Sequence, residues 1–149
     1  MKTGDVAPDF ELPDQDGTPR KLSTMLQSGP VVLFFYPLAS SGGCTTEMCT
    51  VRDEAAQFAA VGAQRVGISQ DSVAKQKAFA DGNGFDYPLL SDADGSVCTA
   101  YGTNRGWKAA PTKRHTIVIG TDGVVRDVIK SEFSFAKHAG KALSALAPS

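Results

Sequence analysis

The chain has 149 residues, the size of one ordinary domain, with 42% hydrophobic and 21% charged residues, close to globular averages. That composition excludes a disordered tail, a collagen-like repeat and a coiled coil, and 15 basic against 16 acidic side chains leave no positive excess of the kind nucleic-acid binders carry. The longest apolar run, residues 31–36, falls far short of the ~20 needed to span a bilayer, and the start lacks a signal-peptide core, so a single cytoplasmic domain over 1–149 is expected.

In chain order, short apolar-alternating segments surround Asp16-Gly17, a pair that predicts a β-hairpin between residues 9–12 and 21–22. Ser23 is placed to cap a short helix over 24–27, ending near Gly29-Pro30. Residues 31–36 are β-branched and aromatic without alternation, as in a strand buried on both faces, and Pro37 stops it. After Gly42-Gly43 the period changes, and Cys44, Met48, Val51, Ala55 and Phe58 share one helix face, with Gly62 as the stop. Next come a strand over 66–69 and a polar helix from Ser72 to about Asp81, broken by Gly82-Asn83-Gly84. An extended piece over 87–90 and a short helix over 94–101 follow. Strands over 116–120 and 124–129 flank Thr121-Asp122-Gly123, a second hairpin signal, and an amphipathic helix over 134–146 closes the chain. The order predicts an α/β fold, a mixed central sheet flanked by helices with an N-terminal hairpin.

Three cysteines are an odd number, which argues against a closed disulfide framework and leaves core, metal-ligand or reactive-thiol roles. Cys44 falls where a buried strand, a Pro/Ser/Gly loop and a helix meet. A thiol in a first helical turn meets unpaired backbone N–H groups and the positive end of the helix dipole, and both favour the nucleophilic thiolate. Gly42-Gly43 permits close backbone approach, and Ser41 can direct its hydroxyl at the sulfur or at a bound oxygen substrate. Cys49 lies five residues beyond Cys44. On an ideal helix that spacing sets the two Cα atoms roughly 8–9 Å apart, whereas disulfides rarely tolerate more than ~7 Å. A bond between them therefore requires the first helical turns to unwind.

Residues 36–53 contain Pro37, Ser41 and Cys44 in a Pro-x-x-x-Ser-x-x-Cys pattern, then Cys49 and Arg52-Asp53. The segment resembles the active site of peroxiredoxins, and the second cysteine is similar to the peroxiredoxin Q / bacterioferritin comigratory protein branch. Gly4-Asp5-x-Ala7-Pro8-Asp9-Phe10, Gly67-Ile68-Ser69, Tyr87-Pro88-Leu89-Leu90-Ser91-Asp92 and Lys113-Arg114-His115-Thr116 extend the resemblance over nearly the whole chain. It implies a thioredoxin-like fold and a thiol peroxidase acting on hydrogen peroxide and organic hydroperoxides. Cys44 would become a sulfenic acid, Cys49 would resolve it as an intramolecular disulfide, and thioredoxin or a similar dithiol would reduce that bond. Pro37 would shield the sulfur, Ser41 would hydrogen-bond peroxide, and Arg114 would stabilise the thiolate and the charge developing on oxygen. The resemblance implies a monomer and no metal, haem or flavin. Ser41-Gly42-Gly43 departs from the usual Thr-Pro-Gly, losing a rotamer-limiting methyl and adding loop entropy that favours unwinding. Residues 102–111, with Arg105 and Trp107, also depart from the pattern.

Plainer roles stand beside these. Cys44 and Cys49 would also fit as buried core residues, and Cys98 fits structural packing, with a resolving role as its alternative. Arg114 would ordinarily make a surface salt bridge. Arg52 can pair with Asp53 or Glu47, and Ser41 can serve as a turn residue or cap. Glu47 can favour the helix start or hold an arginine, while His115 and His138 are isolated. Spacings for zinc, dinucleotide, phosphate-loop and serine-hydrolase sites are absent from the sequence. A redox-responsive binding protein remains the alternative class. A thiol–disulfide oxidoreductase is weakened because Cys44 and Cys49 do not form a Cys-x-x-Cys pair.

Overall fold

The structure, a computed structural model, describes residues 1–37, 39, 42–103 and 115–130. Asp16-Gly17 turns the chain between β1 (Glu11–Pro13) and β2 (Pro19–Lys21), which pair antiparallel. Asp14 holds this turn from within. Its Oδ1 accepts the backbone N–H groups of Asp16 and Thr18 at 2.8 and 3.0 Å, and its Oδ2 accepts from Arg20 Nε at 2.8 Å. Burial opposes ionisation of Asp14, but Arg20 and the two backbone donors prevail and hold its carboxyl below the ordinary range.

The short helix α1 spans Leu22–Met25, so Ser23 lies inside it rather than capping it. The cap comes from Asp9, whose Oδ1 accepts the Ser23 N–H at 3.0 Å and satisfies a donor orphaned by the helix start. The expected buried strand is β3 (Val31–Phe35), with every residue buried. It lies at the centre of a five-stranded sheet of order β5-β4-β3-β6-β7, which accounts for its unbroken apolar run.

The helical stripe from Cys44 to Phe58 is two helices, α2 (Gly42–Asp53) and α3 (Ala55–Ala60), parted at Glu54. The ladder continues through the break, with Glu54 N–H donating to Thr50 and Phe58 N–H to Glu54. Cys44, Met48, Val51 and Phe58 therefore still face inward, all buried. Strand β4 is Gln64–Ser69, and α4 (Val73–Asn83) starts at Ser72, whose side chain caps Lys75 N–H. Gly82 and Asn83 belong to α4; only Gly84, at φ 63°, ends it. Strand β5 (Leu89–Ser91) leads to α5 (Ser96–Ala100), and β6 (His115–Ile119) and β7 (Val125–Lys130) form the second hairpin. The helix expected over 134–146 and most of the 102–111 segment lie outside the described residues. No described helix is long and apolar enough to cross a membrane.

The sheet divides the interior in two. Val31, Leu33 and Phe35 pack on one face with Phe10, Leu22, Ile68, Cys98, Tyr101 and Ile117. Val32, Phe34 and Tyr36 point the other way, into a cluster containing Cys44, Met48, Val51, Phe58, Phe79 and Tyr87, as the two-residue period of a strand requires. Chain topology adds to this sorting: a bulge between Val118 and Ile119 sends Val125 to the first face and Ile129 to the second.

Candidate active site

Parallel pairing of β3 with β4 brings their carboxyl ends to one edge of the sheet, and the antiparallel β6 begins at that edge. Phe35 aligns with Ile68 on one side and His115 on the other. Pro37, half-buried, follows β3 here, and α2 starts a few residues later. Cys44 sits in the first turn of α2 at 0% exposure, on the same sheet face as Tyr36 and Met48. Cys49, half-buried, packs against the margin of that cluster, its Sγ 3.8 Å from Asn83 Oδ1. Cys98, equally buried, belongs to the opposite face. All three are free thiols.

The absence of a side chain at Gly67 is what lets α2 seat so closely. A Cβ there would lie 2.9 Å from Met48 Cε, 2.6 Å from Leu89 Cδ2 and 3.2 Å from Tyr36 Cε1. The far half of α2 is tied down by polar contacts. Tyr87 Oη donates to the Met48 carbonyl at 2.6 Å, and Arg65 reaches the Val51 carbonyl at 3.2 Å while pairing with both Asp86 carboxylate oxygens. Arg52 pairs with Asp53 at 3.0 Å and donates to the Asn83 carbonyl at 2.6 Å.

Beneath the segment leading to α2 runs a buried polar chain. The Tyr36 hydroxyl donates to Gln76 Oε1, and Gln76 Nε2 donates to Ser69 Oγ at 3.0 Å and to the Leu90 carbonyl at 2.7 Å. Ser69 Oγ donates to Asp71 Oδ2 at 2.7 Å, and the same oxygen accepts Ala39 N–H at 2.7 Å. Burial, with Asp71 and Cys44 nearby, raises the Tyr36 pKa well above the ordinary phenol value, so it stays a neutral donor. Sequence reasoning missed Tyr36, Gln76 and Asp71 as members of this edge. The available signal was two polar residues, Ser69 and Asp71, at the carboxyl end of a buried strand.

The AhpC/TSA family model matches residues 3–128. This chain is a peroxiredoxin of that family.

Peroxidoxin BcpB from Mycobacterium tuberculosis is similar to it, with 60% identity and a TM-score of 0.95 over 98% of this chain and 96% of that one. The chloroplastic peroxiredoxin Q of Arabidopsis thaliana is 38% identical across 98% of this chain and 67% of its own length. Peroxiredoxin Q from Xanthomonas campestris superposes at TM-score 0.82 with 30% identity, covering 92% and 89% of the two chains. The fold is thus the expected thioredoxin-like α/β fold, and the protein is a thiol peroxidase.

Of the residues expected to serve the peroxiredoxin site, Pro37 lies just after β3, while Cys44 and Cys49 both lie in α2 and pack with the same core cluster. Ser41 and Arg114 lie outside the described residues. Glu47 is fully buried in the first half of α2. Arg52 pairs with Asp53, one of its two expected partners, and also reaches the end of α4.

Proposed function

We propose that this peroxiredoxin reduces hydrogen peroxide and organic hydroperoxides through a Cys44–Cys49 cycle. The Cys44 thiolate attacks one peroxide oxygen; the O–O bond breaks, water or an alcohol leaves with a proton, and Cys44 becomes a sulfenic acid. The Cys49 thiol then attacks the Cys44 sulfur, expelling water and forming an intramolecular disulfide. A thioredoxin-type dithiol restores both thiols by exchange. Pro37 covers the sulfur, Ser41 hydrogen-bonds peroxide, and Arg114 stabilises negative charge. Arg114 immediately precedes His115, which pairs with Phe35 at the site edge.

The observation that carries this reading is the division of the cysteines by the sheet. Cys49 shares the Cys44 side, whereas Cys98 packs behind the sheet with Phe35 and Tyr101. Both reactive cysteines lie within one helix, α2 (Gly42–Asp53), so the disulfide forms only after its first turns open. The cycle operates in a single domain over 1–149, read as a cytoplasmic monomer. Rapid mixing with one equivalent of peroxide, followed by acid quench and peptide mapping, tests it. A disulfide mapped to Cys44–Cys49 is expected; a bond to Cys98, or no oxidation faster than that of free cysteine, overturns it.

A further inference from the structure

We propose that Asp71 is a positioning residue for peroxide reduction, holding the segment between Pro37 and Cys44 through the backbone N–H of Ala39. This deepens the proposed function and rests on it, because that segment carries the groups assigned to peroxide. Asp71 lies just beyond β4, not in the motif around Cys44. Parallel pairing of β3 and β4 carries it to the same edge.

Three observations support the assignment. Asp71 is only 8% exposed, and a buried carboxylate is costly unless its hydrogen bonds are made. Its Oδ2 receives two short donors, Ala39 N–H and Ser69 Oγ, both at 2.7 Å. Asp71 is also fixed from behind. Its own N–H donates to Ser69 Oγ at 3.2 Å, its carbonyl accepts Ser91 Oγ at 2.6 Å, and Ser69 is oriented by Gln76 Nε2 at 3.0 Å. Gln76 in turn accepts from Tyr36, which shares the core cluster of Cys44. A rigid acceptor thus grips the backbone of Ala39, between β3 and α2, in a stretch whose sequence is rich in glycine and serine. The Gly42-Gly43 pair leaves that segment with more freedom to lose, so an external tether has a correspondingly larger effect.

The test compares two reactions of Cys44 in the full-length reduced protein: sulfenate formation with hydrogen peroxide, and alkylation by iodoacetamide. Asp71→Ala should lower the peroxide rate constant about 10–100-fold, as expected when reacting groups are misplaced by an ångström or so. It should leave the alkylation rate within about twofold, since alkylation needs no peroxide pocket. Asp71→Asn, which keeps the acceptor oxygen, should restore most of the peroxide rate. If Asp71→Ala does not fold, Ser69→Ala carries the same test with a smaller drop. An unchanged peroxide rate, an equal fall in both rates, or an Asn variant as slow as Ala overturns the assignment. A wild-type protein no faster with peroxide than free cysteine would instead overturn the peroxidatic reading beneath it.

Discussion

Cys44 and Cys98 are both 0% exposed, and both lie near the start of a helix. Their neighbourhoods differ. Cys98 opens a five-residue helix, α5, whose first donors are already taken by the buried carboxylate of Asp92. The Val97 and Cys98 N–H groups donate to its two oxygens at 3.2 and 2.8 Å. The Asp92 side chain thus already takes the backbone donors at the start of α5. Cys44 opens a helix of twelve residues at a sheet edge where three strands end or begin, above a chain of Tyr36, Gln76, Ser69 and Asp71. Burial alone therefore does not distinguish the two cysteines; they differ in the length of the helix each begins and in the sheet face each packs against.

The sharpest way to break this comparison is to exchange the two cysteines for serine. Cys44→Ser should abolish peroxide consumption, while Cys98→Ser should keep turnover within about twofold and cost on the order of 1 kcal/mol in stability. Peroxide-consumption assays and chemical denaturation measure the two effects. Next in size, Cys49→Ser should leave sulfenate formation intact yet block the intramolecular disulfide. Intact mass after one equivalent of peroxide should then show addition of oxygen, not loss of two hydrogens.

A smaller effect is expected at Gly67→Ala. The added methyl meets Leu89, Met48 and Tyr36 at 2.6–3.2 Å and should cost about 1–3 kcal/mol by overpacking, read as a shift in denaturation midpoint. Because Met48 lies in α2, disulfide formation should quicken as that helix loosens. Asp14→Ala should cost a comparable amount, about 1–3 kcal/mol near neutral pH, for hydrogen bonds to a charged group, with little effect on peroxide turnover. Its folded pKa lies below the ordinary aspartate value of 3.8. The contribution is therefore fully present above about pH 4 and lost as pH falls through the folded value. Thermal melts of wild type and variant should converge at low pH.

Local signals in the sequence proved legible. The unbroken apolar run of β3, the turns at Asp16-Gly17 and Asp122-Gly123, the Ser72 cap and the inward stripe of α2 all depend on neighbours a few residues away. What escaped the sequence depends on partners far along the chain. Ser23 reads as a cap, but Asp9, from the strand side of the hairpin, performs the task. The break at Glu54 is invisible to periodicity because the ladder and inward face continue across it. Tyr36 reads as one more apolar residue of β3, and only the fold gives its hydroxyl a partner in Gln76, 40 residues on. The cysteine motif was readable, but Asp71 joins it only through strand pairing.

The placement of β3 also dictates when the chemistry becomes available to a growing chain. Val31 pairs with Gln64 after one crossover, but its other neighbour is Ile119. The β3–β4–β5 unit can close over short separations, whereas the β6–β7 hairpin docks across a much longer loop, a contact with the larger entropic cost and the slower formation. Cys44 is joined to the chain within the first third of these 149 residues, yet one wall of its edge is missing until His115 has been made. During that interval the edge of β3 that faces β6, beside the start of α2, is open to adventitious partners. The complete edge is thus assembled late in folding, and agents that slow β6 docking should make Cys44 more open to alkylation during refolding.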